Sequence, residues 1–207
     1  SMLDLIYEDN SNHKAISPKS LDSLKNAADQ TYNLLENLLY WSRSQRGNLV
    51  NNPEQTNLYD LIVENIELLK TMARNKDIEI VNNVDEDVTA FADRNMIKTV
   101  IRNLIINAIK FTDAKGSITI SSEERDDHVK ISIADTGIGI KKSTLEKILN
   151  NRDYYTTFGT NREKGSGLGL NLCLDFIERN GGEFYIDSEY GKGSTFSFIL
   201  PISSTAE

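Results

Sequence analysis

The segment Asp93–Thr112 restricts the fold more than any other part of the chain. Ile97, Val100, Ile101, Leu104, Ile105, Ala108 and Ile109 recur in it at helical spacing. A helix this apolar has to be covered. Three polar side chains interrupt it, Asn103, Asn107 and Lys110, at i, i+4 and i+7, so they share one face. Amides and an ammonium placed there need partners. One reading makes them core groups that satisfy backbone atoms, with Lys110 favoured near the helix end by the dipole. The other makes them a stripe that offers oxygen ligands and positive charge to a polar, anionic molecule. Two glycine-rich segments follow, Asp135-Thr-Gly-Ile-Gly-Ile140 and Gly165-Ser-Gly-Leu-Gly-Leu170. Together the three segments read as walls of one nucleotide pocket.

Composition narrows the function. The net charge of −8 opposes nucleic acid as a partner, because phosphate backbones require clustered Lys and Arg. Any phosphate site is then built locally, from amides, a few basic groups and a metal ion. Hydrophobic residues at 39% of 207 support a full core plus a small appendage. The single cysteine, Cys173, excludes a disulfide framework and a thiolate zinc site, and favours a reducing compartment. No apolar run approaches membrane-spanning length, so no membrane contact is expected of this segment. Ser1-Met2 reads as an expression remnant ahead of an excised piece, whose parent is free to carry a membrane anchor elsewhere.

Along the chain, Leu3–Tyr7 reads as a helix tail and Asn10–Ile16 as a loop. Ser17-Pro18 opens a helix, a capping serine followed by proline at the first helical position. Leu21, Leu24, Ala28, Leu35, Leu38 and Leu39 continue it to about Arg46, and Gly47 stops it. An apolar seam of this kind packs against another helix pair, which makes self-association plausible, or lies as a single helix on the larger domain. Asn48–Gln55 is a polar connector with Pro53 and marks the domain boundary. The expected division is 1–50, a truncated helical region, and 56–203, the main domain. Helices are expected over Leu58–Arg74, Asp93–Thr112, Ser143–Leu149 and Gly167–Asn180. Strands are expected at Asp77–Asn82, Thr89–Ala92, Gly116–Ser122, His128–Ala134, Glu183–Ser188 and Ser194–Pro201. This order argues for an α+β, two-layer sandwich: a mixed sheet covered by helices on one face.

Each motif has a plain structural alternative. Asp135 ends an apolar strand, where its carboxylate can accept from an exocyclic amine such as adenine N6 while Gly137 and Gly139 let a flat ring approach. An aspartate-stabilised glycine turn is the plain alternative. Gly165, Gly167 and Gly169 open a helix whose free amides suit phosphate, or form a loop capping the last helix. The segment is not a dinucleotide fingerprint, and Gly191-Lys-Gly-Ser194 is not a P-loop. The combination weighs against the plain readings: an amide stripe, an aspartate before a glycine turn, a glycine-rich helix start and a terminal Gly-Lys-Gly-Ser-Thr-Phe hairpin, in that order.

Those residues resemble the sensor histidine kinases. Asn103-Leu-Ile-Ile-Asn-Ala-Ile-Lys110 is similar to their N box, Asp135–Ile140 to the G1 box, Glu163–Leu170 to the G2 box and Gly191–Phe196 to the G3 motif. The resemblance covers about Thr56 to Ile202 and implies a Bergerat-type α/β sandwich that binds ATP with Mg²⁺. It implies that Asn107 coordinates the metal and that Asn103 and Lys110 contact phosphates. Asp135 would accept from the adenine amine, with Gly137 and Gly139 lining the base and Thr195 joining the adenine water network. The stretch Asn150–Gly169 would be a mobile lid, with Arg162 and Lys164 meeting the γ-phosphate and the amides of Gly165, Ser166, Gly167, Leu168 and Gly169 over the phosphates. Ser17–Gly47 resembles, less specifically, the second helix of the family's dimerisation and phosphoacceptor hairpin.

One feature of the family is missing. Nothing matches the H box that carries the acceptor histidine. His13 lies in a polar turn and His128 in an acidic one, both read as surface histidines. The expected activity is therefore that of a cytoplasmic, ATP-binding catalytic fragment. Its parent would phosphorylate a histidine and pass the group to the aspartate of a response-regulator receiver domain, as a homodimer through the hairpin. The fragment itself would not autophosphorylate. The alternatives are a nucleotide-sensing scaffold without kinase activity and a chaperone- or topoisomerase-type ATPase. The second is disfavoured because little chain follows Pro201 to supply those proteins' catalytic lysine.

Overall fold

The computed structural model describes residues 50–150, 159–160 and 169–203. The chain divides into two units, residues 1–49 and 50–207. The first unit, with the expected helix from Ser17 to Arg46, lies outside the described residues. So do the lid residues Arg162, Lys164, Gly165, Ser166, Gly167 and Leu168.

The second unit begins with a strand, β1 (Glu54–Asn57), followed by helix α1 (Leu58–Arg74). The Asn57 side chain caps α1 by accepting from the Asp60 amide at 2.9 Å. Strands β2 (Glu79–Asn83) and β3 (Thr89–Ala92) lead to α2 (Arg94–Phe111), the helix with the polar stripe. Asp93 starts α2, its Oδ1 accepting from the amides of Asn95 and Met96, each at 3.0 Å. Then come β4 (Ser117–Arg125), β5 (His128–Asp135), α3 (Lys142–Asn150), α4 (Gly169–Arg179), β6 (Glu183–Glu189) and β7 (Gly193–Pro201).

Five strands form one mixed sheet in the order β2-β4-β5-β7-β6, with β2–β4 parallel and the other pairs antiparallel. Alternation sends Ile118 and Ile120, Val129, Ile131 and Ile133, and Phe196, Phe198 and Leu200 to one face, where all are buried. Helix α2 packs over that face with α1 on one side and α4 on the other. Its Ile97, Val100, Ile101, Leu104, Ile105 and Ile109 have no exposure, which agrees with a helix wedged between a sheet and two helices. The opposite face of the sheet is lined by Thr119, Ser121, Lys130, Ser132, Thr195, Ser197 and Tyr185. The architecture is the two-layer α+β sandwich expected from the order of elements.

Strand β4 runs three residues past the expected Ser122, to Arg125, and two further details differ from the sequence reading. The polar connector contains β1, which pairs with β3 through Glu54↔Ala92 to Asn57↔Thr89. Its residues, Glu-Gln-Thr-Asn, have no apolar alternation to announce a strand. Pairing and the buried Thr56 hydroxyl, which donates to the Ala92 carbonyl at 3.1 Å, hold it in place. Strand β2 starts at Glu79 rather than Asp77, because Asp77 has a left-handed backbone (φ 53°) and belongs to the preceding turn.

Candidate nucleotide site

Of the last four carbonyls of α2, one is taken by the capping residue and three by groups from elsewhere in the chain. Ala108 O accepts from the Thr112 amide at 3.0 Å, and Phe111 O from the Ile138 amide at 3.1 Å. Ile109 O and Lys110 O each accept from the buried Lys76 ammonium at 3.0 Å. Lys110 O also accepts from the Thr160 amide at 3.1 Å. The polar stripe is thereby tied to the aspartate-glycine turn. Asn107 lies one turn, about 6 Å, before Phe111, whose carbonyl holds that turn.

The turn itself follows from local chemistry. Asp135 ends β5 on the buried face, and its Oδ1 accepts from the Gly137 amide at 2.8 Å. A Cβ at Gly137 would lie 2.3 Å from the Phe111 carbonyl oxygen, so only glycine lets α2 and the turn close on one another. Gly139 has φ +63° and its missing Cβ faces the Glu189 carbonyl at 2.1 Å. Asp135 is 7% exposed. Burial pushes its carboxyl above the usual range, against the pull of the backbone amides of Gly137 and Ser194. A carboxylate poorly served by water suits a hydrogen-bond donor arriving on a ligand.

At the other end α2 and α4 meet twice. The Asp93 amide donates to Asn180 Oδ1 at 2.7 Å, and Asn180 Nδ2 donates back to Phe176 O at 2.7 Å. Further along, a Cβ at Gly169 would stand 2.9 Å from Asn103 Oδ1. The first residue of α4 thus abuts the first amide of the stripe. Asn103 Nδ2 donates to Thr99 O at 3.0 Å. Asn107 is half-buried and its amide has no partner among the described residues. Lys110 is 7% exposed, with Nζ 4.6 Å from the centre of the Phe111 ring.

Thr195 does not join this group. It pairs with Ala134, whereas Asp135 pairs with Ser194. Directly paired residues share a face and neighbours alternate. Thr195 therefore lies on the outer face, and the hydroxyl on the Asp135 side is that of Ser194. Ser194 Oγ is 2.9 Å from Ser188 Oγ, which accepts from the Ile140 amide at 2.8 Å. The sheet register was the missing signal, since the two hydroxyls are adjacent in sequence. Lys76 and Thr160, which hold the end of α2, carry no signal of that contact in the sequence. Exposed Ile138 and Tyr190 stand beside the turn, with Lys141 Nζ 5.0 Å from the Tyr190 ring.

One other concavity lies apart from this group. A depression of about 180 Å³ is lined by Arg125, His128, Lys130, Tyr185 and Ile199. Its Arg125 pairs with Glu123 at 2.9 Å, and its His128 Nδ1 lies 2.5 Å from Asp127 Oδ1. His128 opens β5 while Asp135 ends it, which puts them about 23 Å apart. Among the described residues no three His, Cys, Asp or Glu side chains are grouped to hold a metal ion. No described helix is long and apolar enough to cross a membrane.

Comparison with known proteins agrees with this geometry. The family described as histidine kinase-, DNA gyrase B- and HSP90-like ATPases matches residues 92–204. The adaptive-response sensory kinase SasA of Synechocystis sp. is 34% identical over 171 residues, covering 82% of this chain and 44% of that protein. The sensor histidine kinase WalK of Bacillus subtilis is 29% identical over 213 residues, covering 100% of this chain and 34% of its own length. The chain thus spans less than half of these curated relatives. The solved catalytic domain of histidine kinase ThkA superposes with a TM-score of 0.63 at 33% identity, covering 72% of this chain and 95% of that one. A structure of ThkA in complex with the response regulator protein TrrA gives 0.68 at 25% identity, covering 98% of this chain and 57% of that one. The chain belongs to this ATPase family, as a catalytic domain of the sensor histidine kinase type.

Proposed function

We propose that residues 50–207 bind ATP–Mg²⁺ and deliver its γ-phosphoryl group to a histidine, for relay to the aspartate of a response-regulator receiver domain. The observation that carries this reading is the double attachment of α2: Phe111 to the Asp135 turn, and Asn103 to the start of α4. Base-reading and phosphate-facing segments then share one wall.

In this reading Asp135 accepts from the adenine amine, and Gly137 and Gly139 line the base. Ser194 takes the hydroxyl role first expected of Thr195. Asn103 and Lys110 face the phosphates, joined by Arg162, Lys164 and the amides of Gly165–Gly169. The donor set fits magnesium only in part. One unpartnered amide oxygen, on Asn107, suits a hard cation that draws its other ligands from phosphates and water. When bound, the ion would neutralise phosphate charge; the chain's own groups orient the nucleotide. Phosphoryl transfer is mainly positioning and charge stabilisation. The match to TrrA-bound ThkA supports a receiver-domain partner. The lone buried thiol supports a reducing, cytoplasmic setting, and the apolar seam of residues 17–46 supports a homodimeric parent.

The 207 residues contain no H box, so the chain alone is expected to stay unlabelled by γ-labelled ATP. Supplying a separate histidine-bearing helical hairpin restores acid-labile label on the hairpin. Label on His13 or His128 would contradict the acceptor assignment. Nucleotide binding without transfer to any supplied hairpin would favour a nucleotide-sensing scaffold.

A further inference from the structure

We propose that Ser188 sets the base specificity of the site by fixing the proton of Ser194, so that a ligand meets only acceptors there and a six-amino purine is taken in preference to a six-oxo purine; the inference rests on the nucleotide reading above. The residues form one row across three strands. Ser188 of β6 is paired with Ser194 of β7, and Ser194 with Asp135 of β5. Directly paired residues share a face and stand about 5 Å apart, so all three side chains lie on the helix-covered face of the sheet. Beyond Asp135 the row continues as Ile118 and Ile80, which offer no polar group.

The protons of the row are assigned by the partners of Ser188. A serine hydroxyl has one proton to give and two lone pairs to offer. The Ile140 amide, 2.8 Å from Ser188 Oγ, can only donate to it. The Gly193 carbonyl, 3.0 Å away, can only accept from it. The third partner, Ser194 Oγ at 2.9 Å, therefore meets a lone pair and has to donate its own proton. Ser194 is left with acceptor capacity alone. Asp135 beside it is an acceptor too, and both residues are 7% exposed. Water is too scarce at such a place to relieve a mismatch. An incoming carbonyl oxygen faces acceptors without a donor, whereas an amine supplies the protons. The contacts to Ile140 and Gly193 would serve a plain hairpin staple equally well; the contact to Ser194 is the one that reaches the ligand side. Ser188 acts through Ser194 and is a positioning residue, with no ligand contact assigned to it.

ATP and ITP separate this role from a merely structural one. ITP carries an oxygen where ATP carries the six-amino group; the N1 proton that ITP also carries is the same in every variant and cancels from the comparison. Both nucleotides are titrated by displacement of a fluorescent ATP analogue from the full chain in magnesium. In Ser188→Ala the Ser194 proton is released and can turn towards an oxygen. The ratio of ATP to ITP affinity is expected to fall about five- to tenfold, the change of one hydrogen bond. Ser188→Thr, which keeps the hydroxyl, restores the wild-type ratio. In a Ser194→Ala background Ser188→Ala changes the ratio by less than about twofold, because the group it acts through is gone. The proposal is overturned if Ser188→Ala lowers ATP and ITP by the same factor, as loss of a staple would, if it leaves both unchanged, or if its effect on the ratio persists without Ser194. Should Ser188→Ala fail to fold, Ser194→Ala carries the test: its ratio is expected to fall, and a wild-type ratio overturns the proposal. A wild-type chain that binds no ATP refutes the nucleotide reading itself, and the inference with it.

Discussion

Replacing Asp135 by asparagine separates binding from folding at the heart of the site. The asparagine Oδ1 can still accept from the Gly137 amide, now at 2.8 Å from the carboxylate, so the turn keeps its internal bond. What changes is the other side of the group. A carboxylate accepts from the adenine amine, whereas an amide nitrogen there sets donor against donor. A hydrogen bond to a charged group contributes about 1.5–3 kcal/mol, so ATP affinity should fall about 10- to 150-fold. Stability should move the other way. Burial raises the folded-state pKa of Asp135 above its unfolded value. Such an acid holds its proton more tightly when folded. Its contribution is therefore most favourable at low pH and is lost as pH rises through the interval between the two values. At pH 7 the aspartate is a net cost that asparagine removes. The variant should be at least as stable as the wild type at pH 7, with the gap closing as pH falls below the ordinary carboxylate range. Urea denaturation at both pH values and displacement of a fluorescent ATP analogue measure the two effects. ATP affinity within twofold of wild type, or a variant less stable at pH 7, refutes the reasoning.

Asn107→Ala should weaken ATP about tenfold or more in magnesium and little in EDTA, since the amide is proposed to serve the metal; equal losses in both buffers would remove that role. Gly137→Ala places a methyl 2.3 Å from the Phe111 carbonyl oxygen and should cost about 1–3 kcal/mol in urea denaturation. Unchanged stability would mean that α2 and the turn are not closed as described. Cys173 is fully buried between α4 and α2, with Sγ 3.9 Å from Val100 O, and burial pushes its thiol pKa far up. It should resist a thiol reagent in the native protein and react once unfolded. Rapid native labelling would contradict the packing of α4 on α2.

The parts of the fold with strong periodicity were legible in the sequence. Apolar spacing marks α1 and α2 to within a residue. Strict alternation marks the inward faces of β4 and β5. β1 was not legible because pairing with β3, not its own residues, makes it a strand. The site divides along the same line. Its motifs announce themselves by residue type, and the structure brings the asparagine helix, the Asp135 turn and Gly169 together. The choice between Ser194 and Thr195 depends on which of them faces Asp135 across the ladder, a matter of register. Lys76 could not be found at all from its surroundings, Arg-Asn-Lys-Asp, which read as an ordinary exposed turn. Its role exists only because α2 ends beside it.

The strand order has a consequence for how the molecule is made. β5 lies between β4, which it follows directly, and β7, whose Ser194 is paired with Asp135 across almost sixty positions of chain. Helix α2 likewise waits for Ile138, Thr160 and Asn180 to complete its two ends. During synthesis the asparagine helix emerges well before the segments that tether it. Its apolar face and half a sheet stay without their final neighbours until the closing hairpin leaves the ribosome. Assembly of this domain is therefore set by its last strand, and a chain halted before Gly193 would hold the asparagine helix but no finished cradle for it.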